Sequence, residues 1–102
     1  MIPLVEQARD AVQALCRRYH VARLEVFGSA AARHTDDEAR DLDFLVTFQT
    51  TDEMGPADQY FGLLFDLEKL FGRPIDLVCA SVLRNEYFIQ EVNRSRTTLY
   101  AA

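Results

Sequence analysis

Three aspartates on two short apolar segments are the residues of this sequence best suited to chemistry. Asp41 and Asp43 form a D-x-D at the start of segment 41–48, and Asp76 lies inside segment 74–79. Side chains two residues apart on a strand share a face, so Asp41 and Asp43 point together and lie within about 7 Å of each other. Like charges placed in this way repel, and a hard divalent cation turns that repulsion into attraction.

A magnesium site is what this set of carboxylates predicts. Mg²⁺ prefers oxygen ligands, keeps several waters and is usually held by one or two carboxylates together with substrate phosphates. If the strand that carries Asp76 neighbours the D-x-D strand, three aspartates meet and can hold two ions, which stabilise both oxygens of an in-line phosphoryl displacement. The plainer alternative is that the D-x-D begins an ordinary surface strand and Asp76 is solvated.

A Gly-Ser pair, Gly28 and Ser29, follows the short alternating segment 23–27. A glycine at a strand-to-helix turn lets backbone N–H groups approach a phosphate, and the N-terminus of the next helix favours negative charge. A serine adds a hydroxyl. Taken alone, such a pair is commonly only a turn. In combination with the three aspartates it predicts a phosphate site beside a metal site.

The elements that position these residues follow from hydrophobic spacing. Apolar residues at intervals of three and four predict helices, and short or alternating apolar runs predict strands. The predicted helices cover residues 3–19, 57–71 and 86–96, and the predicted strands cover residues 23–27, 41–48 and 74–79. Asn85 can cap the last helix. Because no full crossover helix separates the first two strands, this order predicts an α+β fold, a small mixed sheet with helices packed on one side.

Length and composition exclude several classes of protein. The length of 102 residues predicts a single domain over residues 1–102. Its net charge of −5 makes nucleic acid unlikely as a direct substrate, because binding a phosphate backbone needs clustered Lys and Arg. No apolar run approaches the roughly 20 residues of a membrane span, and charge comes too early for a signal peptide. We therefore expect a cytoplasmic protein without a membrane partner.

Cys16 and Cys79 lie in apolar patterns and are expected to be buried thiols.

The same motifs occur in this order in a known family: VFGSAAARH, then DLDFLVTF, then PIDLVC and a closing LYA. In these segments the chain resembles the minimal nucleotidyltransferases of the polymerase-beta superfamily, and more narrowly the MNT antitoxins that are paired with HEPN toxins. The resemblance extends from about residue 21 to residue 102 and implies the polymerase-beta-like nucleotidyltransferase fold. It implies that Gly28 and Ser29 hold the β and γ phosphates of a nucleotide. Arg33 takes the place of the family's arginine, one position late.

The resemblance also implies a reaction. Asp41 and Asp43 would ligate Mg²⁺, and Asp76 would complete the metal site and help to deprotonate the acceptor hydroxyl. The reaction would transfer a nucleoside monophosphate, usually AMP from ATP, to a hydroxyl, with pyrophosphate as the leaving group. In the antitoxin group the acceptor is a tyrosine of the partner HEPN toxin, which the modification silences.

A second hypothesis is that the chain neutralises its partner by binding alone. The loop from Ser29 to Asp41 is one residue longer than is usual in the family, and Arg40 precedes the D-x-D. Phe61 and Phe65 form an extra apolar stripe on a predicted helix, covered either by the rest of the domain or by a partner chain. The other polar residues of note are interpreted first as solvated. His34 could instead contact the nucleotide, and the acidic residues 36–38 could meet a basic partner. The alternative for Arg84, Arg94 and Arg96 is that they bind the acceptor or the toxin.

Overall fold

The computed structural model describes residues 1–33 and 41–102, which form a four-stranded sheet, five α-helices and one short 3-10 helix (Ala80–Val82). The helices are α1 (Pro3–Gln7), α2 (Arg9–Arg18), α3 (Ser29–Ala32), α4 (Pro56–Phe71) and α5 (Glu86–Ser95). The strands are β1 (Val21–Phe27), β2 (Leu42–Phe48), β3 (Ile75–Cys79) and β4 (Thr97–Ala101). Over these two ranges, no helix is long and apolar enough to cross a membrane.

The sheet is mixed, with the strand order β3-β2-β1-β4. Strand β1 pairs antiparallel with both β2 and β4, whereas β2 and β3 are parallel. Helix α4 makes the crossover between these two parallel strands, as a parallel pair requires. The predicted α+β class and mixed sheet are confirmed.

Helices cover both faces of the sheet, and this corrects the expectation that they pack on one side. Helices α1, α2 and α4 bury one face, where Leu24 and Phe44 are fully buried. On the opposite face, Phe27 and Leu45 pack with Val92 of α5. Successive side chains of a strand point to opposite faces. Consecutive residues are apolar in β1 (Val26 and Phe27) and in β2 (Phe44 and Leu45), so both faces of these strands carry apolar residues. The second face therefore needs its own cover, which α5 supplies.

Two local features differ from the sequence prediction. The expected helix over residues 3–19 is divided at Ala8, whose backbone leaves the helical region (φ −92°, ψ 6°). The last residues, for which no strand was predicted, form the edge strand β4, and Leu99 is buried against the main core. The predicted cap of α5 is confirmed, because the Asn85 side chain accepts a hydrogen bond from the Phe88 N–H at 3.1 Å.

Both cysteines are free thiols. Cys16 is fully buried in the main core, and this burial raises the pKa of its thiol to about 12. Cys79 is half-buried, and burial raises its thiol pKa as well. The expectation of buried thiols is thus confirmed for Cys16 and holds in part for Cys79.

An ion pair fixes the end of α5 to the sheet. Arg96 was interpreted as a solvated cation, but its guanidinium donates two hydrogen bonds to the carboxylate of Glu25, at 2.6 and 2.7 Å. Glu25 is buried on β1, and Arg23 lies 3.2 Å from the same carboxylate. Hydrogen bonding to Arg96 is the main cause that lowers the Glu25 pKa, against the opposing effect of burial.

We expect the substitution Arg96→Ala to destabilise the protein by about 2 kcal/mol, because the buried Glu25 carboxylate then keeps, among the described residues, only the partly exposed Arg23 as an ion-pair partner. Glu25 has a lowered pKa, so its contribution is present above the ordinary carboxyl range and is lost as the pH falls through the lowered value. As the pH falls from 7 to 3, the variant should therefore lose less stability than the unaltered protein. Urea unfolding between pH 3 and 7 measures both effects.

The control is Arg9→Ala, which removes an exposed pair with Glu6 at 3.2 Å. Such pairs contribute about 0.5 kcal/mol or less. Equal stability losses in the two variants would contradict the role given to Arg96.

Candidate active site

The register of the sheet brings Asp43 and Asp76 side by side. In the parallel pairing of β2 with β3, these two residues are direct partners. In the antiparallel pairing of β1 with β2, Asp43 is opposite Phe27. Cross-strand partners share a face, so both aspartates lie on the face that α5 partly covers. Asp41 is exposed and lies immediately before β2.

The three carboxylates interact electrostatically at Asp43. Its pKa is raised to about 6, first by partial burial and then by the negative charges of Asp76 and Asp41. A partly buried carboxylate beside two other negative charges holds a proton more tightly than usual. The charge arrangement therefore favours any positive group that can replace this proton.

Gly28 stands in contact with the same carboxylate. Its φ of +68° is a conformation that L side chains rarely adopt, and a Cβ built on it would lie 2.6 Å from Asp43 Oδ2. Only glycine fits both conditions. The turn leads directly into α3, which begins at Ser29.

The amide of Gly28 already has a partner within the protein. Its N–H donates a hydrogen bond to the Ser95 hydroxyl at 2.8 Å. Its carbonyl accepts from the N–H groups of Ala31 and Ala32, at 3.2 and 3.0 Å. Sequence reasoning gave the backbone amides of this turn to a phosphate, but in the structure the Gly28 amide binds α5.

A cavity of about 460 Å³ opens beside this turn. The end of β1, helix α3 and the last two turns of α5 enclose it. Its lining residues are Phe27, Gly28, Ser29, Ala32, Arg33, Glu91, Arg94 and Ser95. The structure thus brings Gly28, Ser29 and Arg33 to the wall of one cavity.

Sequence reasoning missed Ser95 and interpreted Arg94 as solvated. A signal for Ser95 was present, because Phe88, Val92 and Ser95 recur at helical spacing and lie on one face of α5. Phe88 packs edge-on against Phe27, with ring centroids 5.9 Å apart. Nothing in the spacing showed that this face meets the Gly-Ser turn.

The carboxylates fit a hard cation that arrives together with a phosphate. Among the described residues, no group of three His, Cys, Asp or Glu side chains is placed so that it could hold a metal ion. Mg²⁺ does not need such a group, because one or two carboxylates, waters and substrate phosphates complete its octahedral shell. The adjacent Asp43 and Asp76 supply oxygen ligands whose repulsion a cation would relieve. The expectations for His34, residues 36–38 and Arg40 lie outside the described residues.

The described structure is a mixed sheet with adjacent aspartates on two strands and a glycine turn next to one of them. Residues 10–102 match the family model "Polymerase beta, Nucleotidyltransferase", and the chain belongs to that family. Among proteins with curated functional descriptions, none matches this chain.

Solved structures support this assignment. A minimal nucleotidyltransferase shares 32% identity and a TM-score of 0.69, over 91% of this chain and 90% of the other. A chain in the complex of a tri-AMPylated Shewanella oneidensis HEPN toxin with MNT antitoxin matches at 17% identity and a TM-score of 0.64. The match covers 95% of this chain and 72% of that chain. A toxin–antitoxin structure with AMP-PNP matches at 18% identity and a TM-score of 0.66, over 92% and 73%. The last two show likeness of fold alone. The predicted polymerase-beta-like fold and the resemblance to minimal nucleotidyltransferases are confirmed.

Proposed function

We propose that this protein transfers AMP from ATP to a hydroxyl group in a reaction that depends on Mg²⁺. One observation carries the proposal: Asp43 pairs directly with Asp76 on one side and contacts Gly28 on the other. Carboxylates that suit a cation thus adjoin a turn that suits a polyphosphate, and nucleotidyl transfer needs this combination.

In this reaction the acceptor oxygen attacks the α phosphorus and forms a new P–O bond. The bond from that phosphorus to the α–β bridging oxygen breaks, and pyrophosphate leaves with the electron pair. We assign Gly28 and Ser29 to the β and γ phosphates, and Asp41, Asp43 and Asp76 to one or two Mg²⁺ ions. Bound Mg²⁺ would neutralise the charge that develops on the phosphate oxygens. Asp76 would also take up the proton of the acceptor hydroxyl.

The acceptor that we propose is a tyrosine of a HEPN toxin encoded nearby, so that the protein acts as an antitoxin in the cytoplasm. The support comes from proteins of similar fold: an MNT antitoxin in complex with a tri-AMPylated HEPN toxin, and a toxin–antitoxin structure with AMP-PNP. ATP as the donor agrees with both.

A second candidate function is neutralisation of the partner by binding alone. Phe61 and Phe65 on α4 are 51% and 55% exposed, and their rings stack with centroids 6.0 Å apart. The rest of the described chain therefore leaves this stripe largely uncovered, and exposed apolar patches commonly mark protein interfaces. A binding surface is compatible with transfer, so the two functions need an experiment that separates them.

The test uses the purified protein, its HEPN partner, ATP and Mg²⁺. We expect intact-protein mass spectrometry to show the partner heavier by one or more AMP units, and EDTA to prevent this. ATP labelled at the α phosphate should label the partner, and ATP labelled at the γ phosphate should not. A stable complex without any mass shift would overturn the proposed transfer.

The double variant Asp41→Ala, Asp43→Ala then separates the two functions in cells that express the toxin. If transfer is the means of neutralisation, this variant loses protection although it still binds the toxin. Full protection by the variant would favour neutralisation by binding alone.

A further inference from the structure

We propose that Arg94 binds the β and γ phosphates of the nucleotide together with Arg33. This inference rests on the proposed function and adds a residue to its site. Both guanidinium-bearing residues line the cavity that opens beside Gly28 and Ser29. Arg33 reaches it from the end of α3, and Arg94 reaches it from the last turn of α5.

The position of Arg94 is fixed by its neighbours. Ser95 accepts the hydrogen bond from the Gly28 amide, and Val92 is fully buried against the sheet. These contacts on either side of Arg94 hold the last turn of α5 against the turn that begins α3. The backbone of Arg94 therefore stands at a fixed place on the cavity wall, and only its side chain must order when a ligand binds.

The present partner of Arg94 is easily exchanged. Its guanidinium lies 2.9 Å from the carboxylate of Glu91, one helical turn earlier, and the two side chains are 72% and 66% exposed. Exposed ion pairs between helix neighbours are weak and are screened by salt. A phosphate carries more negative charge and more acceptor oxygens than Glu91 offers, so it competes well for the guanidinium.

The chemistry of the cavity favours a polyphosphate over the other parts of a nucleotide. The chain has a net charge of −5, yet two arginines and one acidic residue, Glu91, line this cavity beside a serine hydroxyl and a glycine turn. Guanidinium groups present paired N–H donors that match phosphate oxygens in a planar fork. The ligand that uses both of them is the pyrophosphate portion of a nucleoside triphosphate.

Calorimetric titration with ATP, with AMP and with inorganic pyrophosphate, each with Mg²⁺ and without acceptor, tests this inference. The substitution Arg94→Ala should weaken binding of ATP and of pyrophosphate about tenfold to a hundredfold, the effect of one lost charge-assisted contact. AMP binding should change less than about twofold, because AMP lacks the groups that Arg94 contacts. Arg94→Lys should restore part of the loss, since a lysine retains the charge without the fork.

The matched control is Arg18→Ala. Arg18 is 70% exposed and forms an ion pair at 3.7 Å with Asp66, but it lies on α2, which covers the opposite face of the sheet. Its loss removes the same charge and should leave all three affinities unchanged. Glu91→Gln releases Arg94 from its ion pair and should tighten ATP binding about threefold, an effect that disappears when Arg94 is alanine.

Equal ATP affinities of the Arg94→Ala and Arg18→Ala variants would overturn the role of Arg94 and leave the proposed transfer standing. An equal loss of AMP and ATP binding in Arg94→Ala would also overturn it, because the contact would then not be to the β and γ phosphates. If the unaltered protein binds neither ATP nor pyrophosphate, the proposed function itself fails.

Discussion

The substitution Asp43→Asn should abolish nucleotide transfer, by at least about a thousandfold, and at the same time make the metal-free protein more stable. Loss of activity follows because the central carboxylate of the proposed site, between Asp76 and Gly28, becomes a neutral amide. Removing a charged group that acts on developing phosphate charge has effects of this size. Transfer of α-labelled AMP to the partner measures the loss.

The gain in stability follows from the pKa of Asp43, which burial and the charges of Asp76 and Asp41 raise to about 6. The folded protein binds this proton more tightly than the unfolded chain, so stability falls as the pH rises from about 4 to about 6. An asparagine lacks this penalty. We therefore expect Asp43→Asn to unfold with a free energy about 1 kcal/mol higher at pH 7.5 and unchanged at pH 4.

Metal addition completes the experiment. Mg²⁺ that binds only the folded state raises its stability, and the variant should gain less from it than the unaltered protein. Asp52→Asn, which changes an exposed aspartate before α4, is the control and should alter neither transfer nor stability. A variant that loses transfer and is also less stable at pH 7.5 would contradict the charge repulsion described for this site.

The substitution Gly28→Ala should lower transfer about a hundredfold, the second-largest effect that we expect. The new methyl group would stand 2.6 Å from Asp43 Oδ2, in a backbone conformation with φ of +68°. The carboxylate or the turn must move, and displacements of about 1 Å in a catalytic site can cost two orders of magnitude. The variant should also lose roughly 1 to 3 kcal/mol of stability from strain and crowding.

Two other glycines separate these causes. Gly72 also has a positive φ, of +62°, but a Cβ there would meet no atom within 4 Å, so Gly72→Ala tests backbone strain without crowding. Gly55 has neither feature, and Gly55→Ala should be neutral for transfer. We expect Gly72→Ala to lose stability and keep its transfer rate. If it loses transfer to the same extent as Gly28→Ala, the contact with Asp43 is not the reason.

The spacing of residues in the sequence predicted which strands carry the aspartates better than it predicted which elements surround them. The D-x-D and Asp76 lie on strands whose alternation is visible in the sequence, and their meeting depended on one condition, that these strands are neighbours. The parallel register fulfils that condition. The break at Ala8 was not predictable in this way, because alanine is the strongest helix former and signals continuation.

The position of α5 was the harder problem. Its apolar spacing and the Asn85 cap predicted the helix itself, but both faces of β1 and β2 carry apolar residues, so the pattern did not show which face it covers. The contact of Ser95 with Gly28 and the place of Arg94 depend on that choice of face. Such long-range contacts leave no periodic signal in the sequence.

The hydrogen bond from Gly28 to Ser95 also affects the thermodynamics of ligand binding. Because a group within the protein satisfies the amide, the turn reaches its shape without a ligand. The conformational entropy of ordering this turn is lost when the chain folds, so nucleotide binding does not have to order the turn again. Ligand affinity at this site and folding stability of the last helix are therefore thermodynamically linked through one serine hydroxyl.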